Sequence, residues 1–344
     1  MNMDPEMDAS NEIHVALAAD TRYLPGLELT AASMAVRASP GVRLCFHILD
    51  GGIDDPDFAA FAGLMKRLRP DNAVVRHRLA ETQDRDFRDV YGKRMTYKRL
   101  LLPAVLSDLD FAVYCDVDFL WLGDVAELWA LRNPKLFFLS THDRAPETID
   151  HESSWFAARG VPFDAERYFC AGLLLMNLRK LRDEDVMARV FAFLDEHPDV
   201  NLADQSALNA VVQEKTGFVP QRWQVFSRDV VFGRDAEKPA AIHYAGELPW
   251  LRWSRLDMLT DTILFWHRVN AAMRGLSLWG ALRLHFRADE IVVRRTLFLF
   301  AASPLTAWLF KLLLVLSGRK GYGRRFGMWW RRVRMPEASR FFTP

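Results

Sequence analysis

Cysteine is scarce in this 344-residue chain: Cys45, Cys115 and Cys170 are the only three. An odd, sparse count excludes a disulfide-stapled fold. Each sits in an apolar run, so all three read as buried thiols in a reducing compartment. No CxxC pair or Cys/His cluster along the sequence points to a zinc site. The opening residues, MNMDPEMDAS, have neither a basic start nor an apolar stretch, so no secretion signal is expected there. Internal repeats and low-complexity tracts are also lacking. Net charge is almost absent, at +1. That near-balance conceals an asymmetry. From Arg274 to Pro344 there are 14 Lys/Arg and 3 Asp/Glu, a net of +11, against −10 for the residues before them. An acidic body joined to a basic tail points to an anionic surface as partner.

Hydrophobic residues make up 50% of the chain, with 24 Phe and 11 Trp. That is enough for one large domain plus an appendage. The first half alternates strand and helix patterns. Ile13–Asp20, Val42–Asp50, Ala73–Leu79 and Phe111–Asp116 read as strands, and Leu136–Thr141 follows. Between them, Pro25 can open a helix that stops before Pro40, and Asp54 starts another. Met95–Leu109 reads as a third helix. An apolar run, Tyr168–Leu178, precedes helices near 183–196 and 203–214, and a strand spans Ala240–Tyr244. Strands separated by helix-length crossovers predict an α/β fold: a mostly parallel sheet covered on both faces. The composition shift near Arg274 divides the chain into a catalytic domain, 1–273, and a helical, basic and aromatic C-terminal region, 274–344.

The sharpest feature is Val113-Tyr-Cys-Asp-Val-Asp-Phe-Leu-Trp121. If the strand runs through Asp116 and Asp118, both carboxylates project to one side. In an open parallel sheet, ligands bind beyond the carboxyl ends of the strands. Two carboxylates there can hold a divalent cation that bridges a diphosphate. Such a cation acts as a Lewis acid on a departing nucleoside diphosphate. His243, ending the apolar segment Ala240-Ala-Ile-His-Tyr244, offers a third ligand. Carboxylates with an imidazole suit Mn²⁺ better than Mg²⁺, which is the alternative cation. Read alone, a DxD is more often a turn or a solvated acid pair, and a lone histidine more often a core residue.

Seven segments, in order, resemble glycosyltransferase family 8, which includes glycogenin and bacterial lipopolysaccharide and lipooligosaccharide galactosyl- and glucosyltransferases. They are AADTRY (18–23), FHILDGGI (46–53), MTYKRLLLP (95–103), YCDVDFLWLGDVAELW (114–129), FCAGLLLMNLRKLR (169–182), ADQSALN (203–209) and HYAGELPW (243–250). The resemblance implies a GT-A fold, a nucleotide-binding α/β domain, and Mn²⁺-dependent transfer from a UDP-hexose with retention of configuration. It makes Asp116, Asp118 and His243 the metal ligands. Ala18, Asp20 and Tyr23 become part of a uridine pocket, and Val117 and Gly246 join the donor-binding residues. Arg99 is assigned to the donor, Asp143 to donor-sugar hydroxyls, and Asp204 and Gln205 to the neighbourhood of the reacting carbon. Front-face displacement fits, with Gln205 supporting the anomeric carbon electrostatically.

The sequence also departs from the family pattern. HYAGELPW is one residue short of the usual signature and carries no lysine, so Arg252 becomes the candidate cation for the diphosphate. Cys170 stands where the family has asparagine, and Arg22 replaces another asparagine.

In the tail, Leu297–Leu316 is twenty residues long, but Pro304, Lys311 and the flanking charge oppose a simple span. Gly318–Arg334 holds seven Lys/Arg with interleaved aromatics and no acid. The expectation is a cytoplasmic enzyme lying peripherally on the inner face of the membrane, with a glycan or glycolipid acceptor and no nucleic-acid partner. A core helix packed on the main domain is the alternative for the tail. For the whole chain the alternatives are a nucleotide-sugar hydrolase and a donor-binding protein that has lost transfer.

Overall fold

In the computed structural model, residues 12–78, 94–230, 238–251 and 261–301 are described. The chain divides into two compact units after Gln224.

The first unit begins with β1 (Glu12–Ala19), α1 (Leu24–Arg37), β2 (Arg43–Asp50), α2 (Asp55–Leu68) and β3 (Ala73–Arg78). After β1, Asp20 accepts from the Tyr23 N–H and opens a short 3₁₀ turn, and Pro25 lies in the first turn of α1. The α2 helix is capped by Asp54, which accepts from the Asp57 N–H at 2.8 Å; Lys66 and Arg67 close its last turn against the helix dipole. Then come α3 (Leu102–Val105), β4 (Phe111–Cys115), β5 (Phe119–Trp121), α4 (Val125–Trp129), β6 (Phe138–Ser140) and α5 (Pro146–Ala157). The unit continues through β7 (Leu173–Asn177), α6 (Leu178–Asp183), α7 (Val186–Glu196), α8 (Asp204–Val212) and β8 (Thr216–Phe218).

Seven strands form one sheet in the order β3-β2-β1-β4-β7-β6-β8. Pairings are parallel except at β7, which runs antiparallel to both β4 and β6. Alternation along the strands sends Ala16, Ala18, Leu49, Ala112 and Tyr114 into a core shared with Leu178, Val190, Ala207 and Leu208 of α6, α7 and α8. Helix α1 packs against β1 and β5, and α2 against β3. The mostly parallel, helix-flanked sheet agrees with the sequence reading.

Two local expectations are corrected. Met95–Leu109 is not one helix: a 3₁₀ helix spans Arg94–Leu101 and a single α turn follows. Pro103 has no N–H to give the Arg99 carbonyl, so an α-helix cannot run through it and starts beside it instead. The fourth strand ends at Cys115, one residue early, and a turn at Val117–Asp118 separates it from β5. The two aspartates are therefore arranged by a turn and not by strand alternation.

In the second unit, β9 (Val225–Phe226) and β10 (Ala241–His243) pair in parallel. They are followed by α9 (Asp261–Arg274), α10 (Leu278–Arg283) and α11 (Ala288–Ala301). Ile263, Leu264, Leu282, Phe286 and Ile291 form the core among these helices. Among the described residues, no helix is long and apolar enough to cross a membrane. Most of Leu297–Leu316, all of Gly318–Arg334 and Arg252 lie outside the described residues.

Candidate functional site

The carboxyl ends of β1 and β4 meet the N-terminus of α8 in the first unit, and the predicted acids gather there. The Asp116 N–H donates to the Gly172 carbonyl at 2.8 Å, which pins the exit of β4 to the entrance of β7. The turn that follows is held from α1. The Thr30 hydroxyl, fully buried, lies 2.9 Å from the Val117 carbonyl and 2.7 Å from that of Phe119. One turn later on the same face, Ser33 Oγ accepts from the Trp121 N–H at 3.0 Å. Val117 is itself buried, and Asp118 is 9% exposed.

Arg99 is 3% exposed and sits between two carboxylates. Its Nη2 donates to Asp116 Oδ1 at 2.9 Å. Its Nε stands 2.9 Å from Asp204 Oδ2, an ion-pair contact, and donates to the Thr96 carbonyl at 2.8 Å. Nη1 donates to the Ala171 carbonyl, and the guanidinium lies over the Tyr114 ring, 4.5 Å from its centroid. Burial disfavours this charge, but Asp116 and Asp204 outweigh it and hold the guanidinium above its ordinary value. Tyr114 completes the set: its hydroxyl donates to Asp116 Oδ1 at 2.7 Å. Arg99, assigned to the donor in the sequence reading, here ties the acidic strand end to α8.

Asp204 is the first residue of α8. The cap position is Ala203, with φ +53° and no side-chain cap, so the Asp204 carboxylate is directed to Arg99 and not to the helix end. Burial pushes its carboxyl up to about 6, against the pull of Arg99. Gln205 is fixed at both ends. Its Oε1 accepts from the Ala171 N–H at 2.9 Å, and its Nε2 donates to Asp143 Oδ2 at 3.1 Å. Asp143 is buried after β6, and its other oxygen accepts from the Ala145 N–H. Beneath this pair, buried Glu152 accepts from Tyr168 at 2.8 Å and from Ser206 at 2.7 Å.

Ala18 is buried at the end of β1, and Asp20 and Tyr23 stand on the turn beyond it. Burial raises the Tyr23 hydroxyl's pKa; Arg22 opposes that, while Asp118, Asp20 and Asp116 add to it. Tyr23 thus shares the electrostatic field of the acidic pair. The Gly51 N–H bonds to the Ala19 carbonyl at 2.8 Å, and an added Cβ on Gly51 would run into Met95.

Cys170 takes no part in this network as an acid. Gln224 Nε2 donates to its sulfur at 2.7 Å, and burial raises the thiol far above its ordinary value.

In the second unit, His243 ends β10 and is 4% exposed, its ring stacked on Phe226 at 5.3 Å. Gly246 follows with φ +77° and open space where a Cβ would stand. The left-handed backbone, not crowding, demands glycine there. Ser227 donates to Glu247 at 2.5 Å, and Trp250 packs on Trp266.

The first unit therefore brings Asp116, Asp118, Arg99, Asp143, Asp204, Gln205, Ala18, Asp20, Tyr23 and Val117 into one described body. His243 and Gly246 belong to the second, and Arg252 is outside the described residues. Thr30, Tyr114, Glu152 and Tyr168 escaped the sequence reading. Thr30 and Ser33 carry the one available signal, two hydroxyls three apart within the otherwise apolar Leu29–Val36 stretch.

The family model described as Glycosyl transferase family 8 matches residues 14–254. General stress protein A of Bacillus subtilis is 24% identical over 272 residues, covering 69% of this chain and 87% of that protein. Lipopolysaccharide glucosyltransferase WaaO of Escherichia coli is 22% identical over 258 residues, covering 70% of this chain and 74% of that one. Among solved structures, galactosyltransferase LgtC in complex with donor and acceptor sugar analogues superposes with a TM-score of 0.57 at 23% identity, over 70% of this chain and 90% of that one.

Proposed function

The chain belongs to glycosyl transferase family 8, and from that membership we propose that it moves a hexose, galactose or glucose, from a UDP-sugar to a glycan or glycolipid of the bacterial surface. Its fold is GT-A. The observation that carries the reading is the acidic turn, Asp116-Val117-Asp118, held by Thr30 at one side and by the Arg99–Asp204 bridge at the other. A turn fixed that firmly keeps two carboxylates at the carboxyl edge of the sheet, where a nucleotide's phosphates are expected.

Asp116 and Asp118 would supply two carboxylate ligands and His243, by resemblance to the family, a third; two carboxylate oxygens with an imidazole nitrogen would fit Mn²⁺. When bound, the cation supplies positive charge to the diphosphate as it departs. The protein's own residues do the rest. Ala18, Asp20 and Tyr23 hold the uridine. Asp143 accepts from hydroxyls of the donor sugar. Gln205, oriented by Ala171 and Asp143, presents its amide dipole beside the anomeric carbon and keeps that geometry through the reaction. Arg99 and Asp204 act as positioning residues, fixing Asp116 relative to α8. With no carboxylate assigned as nucleophile, retention proceeds at the front face, the departing phosphate taking the acceptor's proton.

The second unit supports a location at the inner face of the membrane. Trp279, Leu284, Val292 and Leu299 are exposed on α10, α11 and the turn between them, and a net charge of +11 follows Met273. That combination suits an anionic lipid surface.

The test is a panel of UDP-sugars assayed for donor consumption and for transfer, with Mn²⁺, with Mg²⁺ and with excess chelator. The expectation is Mn²⁺-dependent use of UDP-galactose or UDP-glucose, abolished by Asp118→Asn in a protein of unchanged melting temperature. Activity that survives the substitution or the chelator overturns the reading. UDP binding without turnover identifies a donor-binding protein, which the absent lysine in HYAGELPW would explain. Turnover to free sugar with every acceptor tried identifies a hydrolase.

A further inference from the structure

The parallel register of β1 and β2 sets His14 directly beside Cys45, and Cys45 and His47 alternate onto the same face. One ligand atom from each of His14, Cys45 and His47 lies within 4.8 Å of the other two. No spacing in the sequence announces this, because the residues that meet are 31 to 33 positions apart. The third strand adds His77 on the same face. His47 is therefore the middle ring of three: its Nε2 is 3.1 Å from His14 Nδ1, and its Nδ1 is 3.0 Å from His77 Nε2.

We propose that His14, Cys45 and His47 form a second metal site, for a thiophilic divalent cation of the zinc class, distinct from the acidic turn. His14 lies six residues before Asp20, about 20 Å upstream along β1. Two nitrogens bound to one tetrahedral zinc at about 2.0 Å stand about 3.3 Å apart, close to the His14–His47 separation. Without metal, that separation is bridged by a single imidazole proton. The cation takes that proton's place: the His14 ring shifts its proton to Nε2, and the Cys45 thiol gives up its proton as the Zn–S bond forms, so one ion enters and one proton leaves. Glu12 Oε1, 4.0 Å from His14 Nε2, stands on the side where that tautomer's N–H points. With Nε2 on the cation, His47 would carry its proton on Nδ1, 3.0 Å from His77 Nε2, the outer hydrogen bond that metal-bound imidazoles make.

Cys45 and His47 are both buried, at 6% and 7% exposure, so a cation held between them is largely shielded from water. A thiolate and two imidazoles select zinc or cobalt over Mn²⁺, which prefers oxygen ligands.

The experiment is a Co²⁺ titration of the full-length protein, stripped of metal, read by near-ultraviolet thiolate-to-cobalt charge transfer and by d–d absorption. One equivalent of Co²⁺ bearing the charge-transfer band is expected, displaced stoichiometrically by Zn²⁺. Cys45→Ser should abolish the band, His14→Ala should weaken Co²⁺ binding by at least tenfold, and His77→Ala should weaken it by about 10- to 100-fold. Asp118→Asn should leave the band intact, which separates this site from the proposed sugar-transfer site. Because Cys45 is buried and the His14 side chain is 19% exposed, His14→Ala is the variant whose fold, checked by circular dichroism, is least at risk. Absence of the band in the wild-type protein, or an unchanged band in Cys45→Ser, overturns the proposal.

Discussion

Replacing Arg99 with methionine tests the link between the acidic turn and α8. The substitution keeps apolar bulk over Tyr114 but removes the cation between Asp116 and Asp204. Asp204 is 2% exposed, so its carboxylate is left in a poor solvent without a countercharge. Breaking a buried pair in this way costs about 3–5 kcal/mol. Part of that cost depends on pH. The Asp204 carboxyl already titrates near 6 in the folded protein, above its ordinary 3.8. A raised carboxyl contributes stability that is fully present below about pH 4 and is lost as pH climbs through the folded value. Without Arg99 that value rises further, and each additional unit extends the loss by about 1.4 kcal/mol. The wild type and the variant should therefore differ least near pH 5, where Asp204 is mostly protonated in both, and diverge above pH 6. The loss of the Ala171 and Thr96 carbonyl contacts adds about 1–2 kcal/mol at every pH. Urea unfolding followed by tryptophan fluorescence at pH 5, 6, 7 and 8 measures this directly. A gap that is constant across the range, or smaller than about 1 kcal/mol at pH 8, would refute the bridging role. Arg99→Lys should fall between the two, since one ammonium cannot span both acids.

Thr30→Val should lower donor turnover at least tenfold while costing only about 1–3 kcal/mol of stability, because it releases the Val117 and Phe119 carbonyls that fix the acidic turn; kinetics and a thermal melt on the same preparation check both halves. Gln205→Ala should reduce kcat more than KM, as expected for a group that acts on the reacting carbon, in steady-state assays with the active UDP-sugar. Glu152→Leu should destabilise by about 2–4 kcal/mol, stranding the Tyr168 and Ser206 hydroxyls, and urea midpoints will read it. A truncation before Arg294 should keep slow hydrolysis of the donor UDP-sugar but lose co-sedimentation with anionic vesicles; the full chain should pellet with them less at high salt. Equal partitioning of the two proteins would assign the tail to the folded body.

Local patterns in the sequence were legible where local physics decides the structure. The apolar runs ending in Asp20 and Asp50 became β1 and β2, Asp54 and Pro56 opened α2, and the acids of the DxD gathered with Arg99, Asp143 and Asp204 in one unit. What escaped reading was set by partners distant in sequence. The strand ahead of the DxD stops at Cys115 because the chain turns at Val117–Asp118, where Thr30 takes the Val117 and Phe119 carbonyls, which no periodicity in 111–118 records. The role of Thr30 depends on carbonyls 87 and 89 residues away. The antiparallel sense of β7 follows from its place between β4 and β6, and its sequence, fully buried on both faces, reads the same in either direction. The sequence reading took Cys45 as a buried thiol and saw no Cys/His cluster, because the register that brings His14 beside Cys45 is set by strand pairing.

The position of β7 also dictates when the protein comes into being during synthesis. The parallel quartet β3-β2-β1-β4 can assemble from the first 115 residues, yet its β4 edge stays unpaired until residue 177 has emerged. Until then the Asp116 N–H has no Gly172 carbonyl, Arg99 has no Ala171, and β6 has nothing to join it to the rest. A ribosome-bound chain of about 150 residues thus carries every acid of the DxD, the Thr30 contacts from α1 and an open β4 edge, but lacks the Gly172 and Asp204 contacts that complete the hold on the turn. The nascent protein passes through a stage in which an apolar sheet margin is exposed to other chains. Closure by β7 ends that exposure and, through Gly172 and Ala171, anchors Asp116 and Arg99 in the same step, so covering the open edge also secures the acidic one.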